Sequence, residues 1–185
     1  MRLPVPERLT LPFQEATSPP SYQLLGIPDG PEGIRATLEI MRRLVRDARR
    51  TPDIRELAIR LTESAAGTGN GKNYFGEISA LHAYVRDSIR YVQDVNEVET
   101  VSPPVEILRL GAGDCDDKAI LLAALLESIG HPARFVALAF APDLYEHVIV
   151  ETKFGQGWIA LETTEDDAEP GWTPAGVVSR MVRHI

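Results

Sequence analysis

Residues 111–126 read GAGDCDDKAILLAALL, a glycine-bearing turn that runs directly into a strongly apolar segment. Asp114 is a favourable N-cap residue, and Asp117, three residues later, resembles the second member of a capping box, so we expect a helix to begin at Cys115. Gly130 is a common stop signal and predicts the end of this helix. The single cysteine of the chain is therefore predicted to lie in the first turn of a core helix.

The position of this cysteine makes it a candidate nucleophile. A thiol at a helix N-terminus lies at the positive end of the helix dipole, beside backbone N–H groups that have no helical partner, and both features favour the thiolate. Carboxylates close in sequence oppose this effect, because negative charge raises the pKa of a nearby thiol. These carboxylates are Glu106, Asp114, Asp116 and Asp117. A catalytic Cys115 thus needs a compensating cation, and the alternative is a buried cysteine in a well-capped core helix.

Among the four histidines, His147 is the best candidate for that cation, because it opens a predicted strand after the cysteine helix. His131 follows the far end of the helix, on the order of 20 Å from the thiol. His82 is predicted to be a packed side chain of another helix, and His184 lies close to the C-terminus.

A predicted hairpin adds a carboxylate to this histidine. Two predicted strands, residues 147–152 and 158–163, are joined by a short glycine-bearing turn. The register that pairs residue 152 with residue 157 places His147 opposite Glu162, with Cβ atoms roughly 4.5–5.5 Å apart. This distance suits a carboxylate that holds an imidazole in one tautomer.

Cys115, His147 and Glu162 are therefore predicted as nucleophile, base and orienting carboxylate of a triad that attacks an amide or ester carbonyl. The backbone N–H of Cys115 is a natural donor to the oxyanion. Gln93 and Tyr91 are weaker candidates for a second donor, and a structural role is the alternative for each.

Helical periodicity dominates the first half of the chain, and strand patterns follow the cysteine helix. The order favours an α+β domain, in which N-terminal helices pack on an antiparallel sheet of at least three strands. Seven prolines within residues 1–31 predict an extended arm. The predicted organisation is thus a Pro-rich arm over 1–31, the domain over 32–168 and a tail over 169–185.

The bulk composition narrows the class of protein. The net charge of −8 and the pI of about 5.0 argue against a nucleic-acid partner. The sequence shows no signal-peptide pattern and no apolar run of membrane-spanning length, so we expect a cytoplasmic location without membrane contact. Four of residues 165–169 are acidic, but their spacing favours a solvated loop, and no metal or organic cofactor is expected.

Several motifs, taken in order, resemble the transglutaminase-like superfamily, the circularly permuted relatives of papain-like thiol enzymes. The matching pieces are GDCDD at 113–117, LLAALL at 121–126, GHPAR at 130–134, HVIV at 147–150 and WIALETT at 158–164, with Tyr91 and Pro103-Pro104 ahead of them. The resemblance implies a Cys-His-Asp triad on a papain-like fold. Cys115 and His147 match it, whereas Glu162 stands where the family usually has Asp. The helical first half is similar to bacterial and phage-associated members.

Three functions follow from this resemblance and stay open. The first is a thiol hydrolase that cuts a protein or peptide substrate, and the second is protein-glutamine amide transfer, which crosslinks Gln to an amine. The third is a non-catalytic binding or assembly module, such as a phage structural protein with a virion-associated location. In that case the N-terminal arm is expected to contact other copies of the chain or an assembly partner.

Overall fold

The computed structural model of the chain describes residue 28 and residues 30–65, 72–93 and 100–185. The predicted arm therefore lies outside the described residues, apart from its last positions. The helices and strands, in chain order, are α1 (Pro31–Ala48), α2 (Pro52–Thr62), α3 (Tyr74–Ser88), β1 (Arg90–Tyr91), α4 (Pro104–Leu110), β2 (Ala112–Gly113), α5 (Cys115–Ser128), β3 (Ala133–Ala141), β4 (Leu144–Phe154), β5 (Gly157–Leu161) and β6 (Ser179–His184).

Helix α5 occupies the centre of the molecule and contacts α1, α2 and α3 on one side and β3 and β4 on the other. It is apolar on all sides because neighbours surround it, and Ala119 to Leu126 are at most 1% exposed. Asp114 caps it as predicted, since its side chain accepts a hydrogen bond from the backbone N–H of Asp117. Among the described residues, no helix combines the length and the apolar character needed to cross a membrane.

The four-stranded sheet has the order β5-β4-β3-β6, and all its neighbouring strands are antiparallel. This arrangement confirms the predicted α+β class, with N-terminal helices packed on an antiparallel sheet. The predicted tail contributes the fourth strand, because β6 pairs with β3 along its whole length. The sequence of this strand, SRMVRH, alternates weakly and carries two arginines, which hides the strand signal.

The β4–β5 hairpin differs in register from the predicted pairing. Phe154 pairs with Gly157 and Val150 with Leu161, so the turn has only two residues. Gly155 adopts a φ of 58° at the first of these two positions, a conformation that glycine reaches without steric cost. The predicted pairing of residues 152 and 157 is therefore wrong by two residues. Because side chains alternate with a period of two, this shift leaves each residue on its predicted face.

Candidate active site

Cys115 and His147 line the same cavity. Cys115 enters it from the first turn of α5, and His147 enters it from β4. The third wall, formed by α1, was not predicted from the sequence. The lining residues are Ile34, Thr37, Leu38 and Met41 of α1, Asp114, Cys115 and Asp116 at the start of α5, and Ala137, Tyr145, Glu146, His147 and Val148 of the sheet.

The predicted contact between imidazole and carboxylate is present, with 2.6 Å between His147 Nε2 and Glu162 Oε2. The side chain of His147 is 16% exposed and that of Glu162 only 1%. Since the observed register does not place the two residues directly opposite, the contact runs diagonally from β4 to the residue that follows β5. The longer side chain of Glu, compared with Asp, suits this diagonal reach.

The other carboxylate oxygen of Glu162 is held by Thr164. Glu162 Oε1 accepts hydrogen bonds from the backbone N–H of Thr164 at 2.7 Å and from its hydroxyl at 2.8 Å. Burial raises the pKa of Glu162, but the hydrogen bond and charge of His147 and the two bonds from Thr164 outweigh it. The pKa of Glu162 is therefore lowered, and the carboxylate is ionised at neutral pH.

His82, which the sequence predicts only as a packed side chain, also contacts Glu162. Its ring Nε2 hydrogen-bonds to the backbone carbonyl of Glu162, and the residue is 1% exposed. Burial lowers the pKa of His82 in spite of this bond, so the ring is neutral at neutral pH. Because a carbonyl oxygen can only accept, Nε2 must carry the proton. The signal in the sequence was the place of His82 on the inward stripe of α3, with Ile78, Leu81 and Val85.

Lys118 is a second residue that the sequence analysis missed. It lies one turn after Cys115, is 2% exposed, and donates hydrogen bonds from Nζ to the carbonyls of Ile89 at 2.8 Å and Arg86 at 3.2 Å. Burial lowers the pKa of Lys118 to about 8, whereas the nearby charge of Glu162 acts in the opposite direction. Lys118 therefore brings a buried positive charge to the vicinity of the Glu162 carboxylate.

The thiol of Cys115 is not activated in this structure. Burial raises its pKa most, followed by the charges of Asp116 and Asp114, and a hydrogen bond from the backbone N–H of Val148 only partly offsets them. The thiol donates a hydrogen bond to Asp116 Oδ1 over 3.7 Å. The predicted preference for thiolate at the helix N-terminus is thus outweighed, and Cys115 is protonated at neutral pH.

The two candidates for a second oxyanion donor are Tyr91, in strand β1, and Gln93, two residues after the end of this strand. Strand β1 pairs in parallel with β2, and this pairing places Tyr91 beside Gly113. Tyr91 is 46% exposed, and Gln93 is also exposed. The assignment of either residue as an oxyanion donor stays a prediction.

The acidic segment after β5 forms a turn at the surface, where residues 165–167 are exposed. Glu169 lies 3.6 Å from Arg86 and forms an ion pair with it. Within residues 30–65, 72–93 and 100–185, no group of three or more His, Cys, Asp or Glu side chains is placed to hold a metal ion.

Comparisons with known proteins agree with this fold. The sequence model of the transglutaminase-like superfamily matches residues 61–163, more than half of the chain, and includes Cys115, His147 and Glu162. No curated protein matches the chain.

Solved structures that are similar to the chain include the following three. LapG from Legionella pneumophila is 18% identical, and the match covers 76% of this chain and 78% of LapG with a TM-score of 0.51. A candidate protease from Parabacteroides distasonis is 14% identical, and the match covers 80% of this chain and 32% of that chain with a TM-score of 0.54. A candidate cysteine protease from Cytophaga hutchinsonii is 19% identical, and the match covers 72% of this chain and 50% of that chain with a TM-score of 0.48. The chain thus spans only about a third of the length of the Parabacteroides protein and half of the length of the Cytophaga protein. At these identities the likeness concerns the fold.

Proposed function

Because the chain belongs to the transglutaminase-like superfamily, we propose that it is a cysteine-dependent amide or peptide hydrolase that acts through Cys115, His147 and Glu162. One observation carries this proposal: His147 lines the same cavity as the thiol and is already hydrogen-bonded to a buried, ionised carboxylate. A similar structure from Parabacteroides distasonis is described as a candidate protease, which favours hydrolysis over other uses of the fold.

In the proposed mechanism, each ring nitrogen of His147 has its own role. Nε2 donates a hydrogen bond to Glu162 Oε2, so Nδ1 is the ring nitrogen that is left to accept the proton of Cys115. Because the pKa of the thiol is raised, deprotonation accompanies the attack instead of preceding it. Glu162 keeps the ring in this tautomer and stabilises the imidazolium that forms.

The reaction then has two steps. Cys115 Sγ forms a bond to the substrate carbonyl carbon as its proton moves to His147, and the oxyanion accepts a hydrogen bond from the backbone N–H of Cys115 at the start of α5. The imidazolium gives its proton to the leaving nitrogen, the C–N bond breaks, and a thioester remains on Cys115. Water attacks the thioester while His147 accepts its proton. The C–S bond then breaks, the acid leaves, and the proton returns to the sulfur.

Two alternatives use the same architecture. Amide transfer differs only in the second step, where an amine replaces water. A non-catalytic assembly module is favoured by one observation, the raised pKa of Cys115, because such a thiol is a poor nucleophile.

The proposal also includes a protein or peptide substrate and a bacterial or phage-associated origin. It places the protein in the cytoplasm or, for the assembly alternative, in a virion.

The test uses a complex peptide mixture, because the substrate is unknown. The full chain is incubated with the mixture in ¹⁸O-labelled water, and mass spectrometry detects new C-termini that carry the label. We expect labelled products with the wild type and none with the Cys115→Ala or His147→Ala variant. Added methylamine distinguishes transfer, since glutamine-containing peptides then gain the amine.

Absence of any product with a folded wild-type chain contradicts both enzymatic functions. The assembly alternative is then supported by a stable oligomer in light scattering that is lost when residues 1–30 are deleted.

A further inference from the structure

We infer that Thr164 is a positioning residue of the site, which holds one oxygen of the Glu162 carboxylate so that the other oxygen meets His147. The inference rests on the proposed function, in which Glu162 orients the imidazole. It assigns a role to a side chain outside the triad, on the segment that follows β5.

The two carboxylate oxygens of Glu162 have different partners. Oε1 accepts both bonds from Thr164, at 2.7 and 2.8 Å, and Oε2 is at 2.6 Å from His147 Nε2. A carboxylate is planar, so fixing one oxygen from two directions also fixes the direction of the other. The contact with His147 therefore depends on how firmly Oε1 is held.

The length of the Glu162 side chain adds a conformational cost. Glutamate has one more rotatable bond than aspartate, and restricting such a side chain costs conformational entropy. Two short hydrogen bonds from a residue only two positions away in sequence compensate for this freedom locally. Thr164 thus allows Glu162 to serve where the related motif has Asp.

The backbone of the same segment is anchored at Glu162. His82 binds the carbonyl of Glu162 from α3, and both residues are nearly inaccessible to solvent. Because the backbone is anchored in this way and the carboxylate is buried, water cannot easily replace a missing hydroxyl at Oε1. Loss of the Thr164 hydroxyl therefore leaves a buried charge with one donor fewer, a change that costs more than the loss of an exposed hydrogen bond.

The experiment compares Thr164→Val with Thr164→Ser in the full chain. Valine keeps the shape and the backbone N–H but removes the hydroxyl, whereas serine retains it. The ¹⁵N chemical shifts of labelled histidines report the tautomer of the neutral His147 ring, and His147→Ala assigns the signals. We expect the Nε2–H tautomer to dominate in the wild type and in Thr164→Ser, and to lose population in Thr164→Val.

Peptide cleavage supplies the second readout. Removing one hydrogen bond to a charged group is expected to lower kcat/KM on the order of 10-fold in Thr164→Val, with near wild-type cleavage by Thr164→Ser. Thr164→Ala removes the hydroxyl without placing a methyl group against Glu162. It is expected to behave like Thr164→Val, which keeps the test valid if the valine variant folds poorly.

The outcomes separate this inference from the proposed function. A wild-type tautomer population in both Thr164→Val and Thr164→Ala overturns the role of Thr164, even if the wild type cleaves peptides. A tautomer shift in these variants supports that role even if the wild type cleaves nothing, a result that contradicts the proposed function alone.

Discussion

The two sides of the cavity differ in how far the fold has prepared them for chemistry. On the sheet side, His147 is hydrogen-bonded to Glu162, whose other oxygen is held by Thr164. On the helix side, the Cys115 thiol donates a hydrogen bond to Asp116, and burial and neighbouring charge raise its pKa. The sheet side is ordered by hydrogen bonds before any substrate binds, whereas on the helix side burial and charge keep the thiol protonated.

For the proposed mechanism, this difference indicates where the barrier to reaction lies. A preorganised base and carboxylate lower the cost of proton transfer, but they do not by themselves ionise a buried thiol that faces carboxylates. The structure therefore favours a mechanism in which the thiol loses its proton only as the sulfur attacks. The predictions below disturb one side at a time.

The largest effect is expected on the sheet side, from Glu162→Ala. This change removes the group that selects the tautomer of His147, and the loss of a comparable group in other triads suggests a fall in kcat on the order of 10²- to 10⁴-fold. Glu162→Asp is the matched variant. Because its shorter side chain has to span the same diagonal, we expect it to retain only part of the activity. Equal activity of wild type and Glu162→Ala in the peptide assay would show that the sheet side is not catalytic.

The next effect concerns Lys118 of α5, whose amine donates hydrogen bonds to two carbonyls at the end of α3. Its pKa is about 8 in the folded chain, against 10.5 for an ordinary lysine, so between these values the unfolded chain binds more protons. The stability of the wild type relative to Lys118→Met should therefore rise with pH in this window, by up to about 3 kcal/mol.

Urea unfolding at several pH values between 7 and 10.5 measures this dependence. Lys153→Met, at an exposed lysine of β4, is the matched control. A difference between wild type and Lys118→Met that stays constant with pH would contradict the assignment of a buried, charged amine.

A smaller effect is expected from a methyl group at the entrance to α5. A Cβ at Gly113 would lie 2.5 Å from Asp117 Cβ and 2.8 Å from its Oδ2, so the start of the helix has to shift. We expect Gly113→Ala to destabilise the chain by about 1–3 kcal/mol in urea unfolding. Gly157→Ala is the control on the sheet side, because nothing lies within 4 Å of its added Cβ. Similar losses in the two variants would show that the helix entrance is not tightly packed.

Whether a feature of the fold or of the site could be predicted from the sequence depended on how far apart in the chain its interacting residues lie. The cap at Asp114 and the apolar run after Cys115 are local signals, and they predicted α5 correctly. The shared face of His147 and Glu162 followed from strand alternation, which a register error of two residues does not disturb. The number of turn residues was the ambiguous quantity, since Gly155 and Gly157 both permit a turn.

The remaining features depend on contacts between residues far apart in sequence. His82 meets Glu162 across 80 positions, and this contact requires knowing how α3 packs against the end of β5. Lys118 is buried although lysine is normally exposed, because two carbonyls at the end of α3 accept its hydrogen bonds. Such pairings leave no periodic signal in the chain.

The smallest effect is expected on the helix side, from Asp116→Asn. After burial, the charge of Asp116 is the largest cause of the raised pKa of Cys115, so neutralising it lowers that pKa and increases the thiolate fraction at a given pH. In the wild type, we expect iodoacetamide to label Cys115 more slowly than it labels a free thiol. In Asp116→Asn, we expect labelling to be faster than in the wild type, by at most on the order of 10-fold.

Asp53→Asn is the matched control for this measurement, because Asp53 is also the second residue of its helix, α2, and lies away from the thiol cavity. Both variants lose the same favourable charge at a helix N-terminus, but only Asp116→Asn removes a charge beside the sulfur. Equal labelling rates in the two variants would mean that Asp116 does not hold the thiol protonated. Labelling of the wild type that outpaces a free thiol would instead indicate a preformed thiolate, and the two sides of the cavity would then be equally prepared.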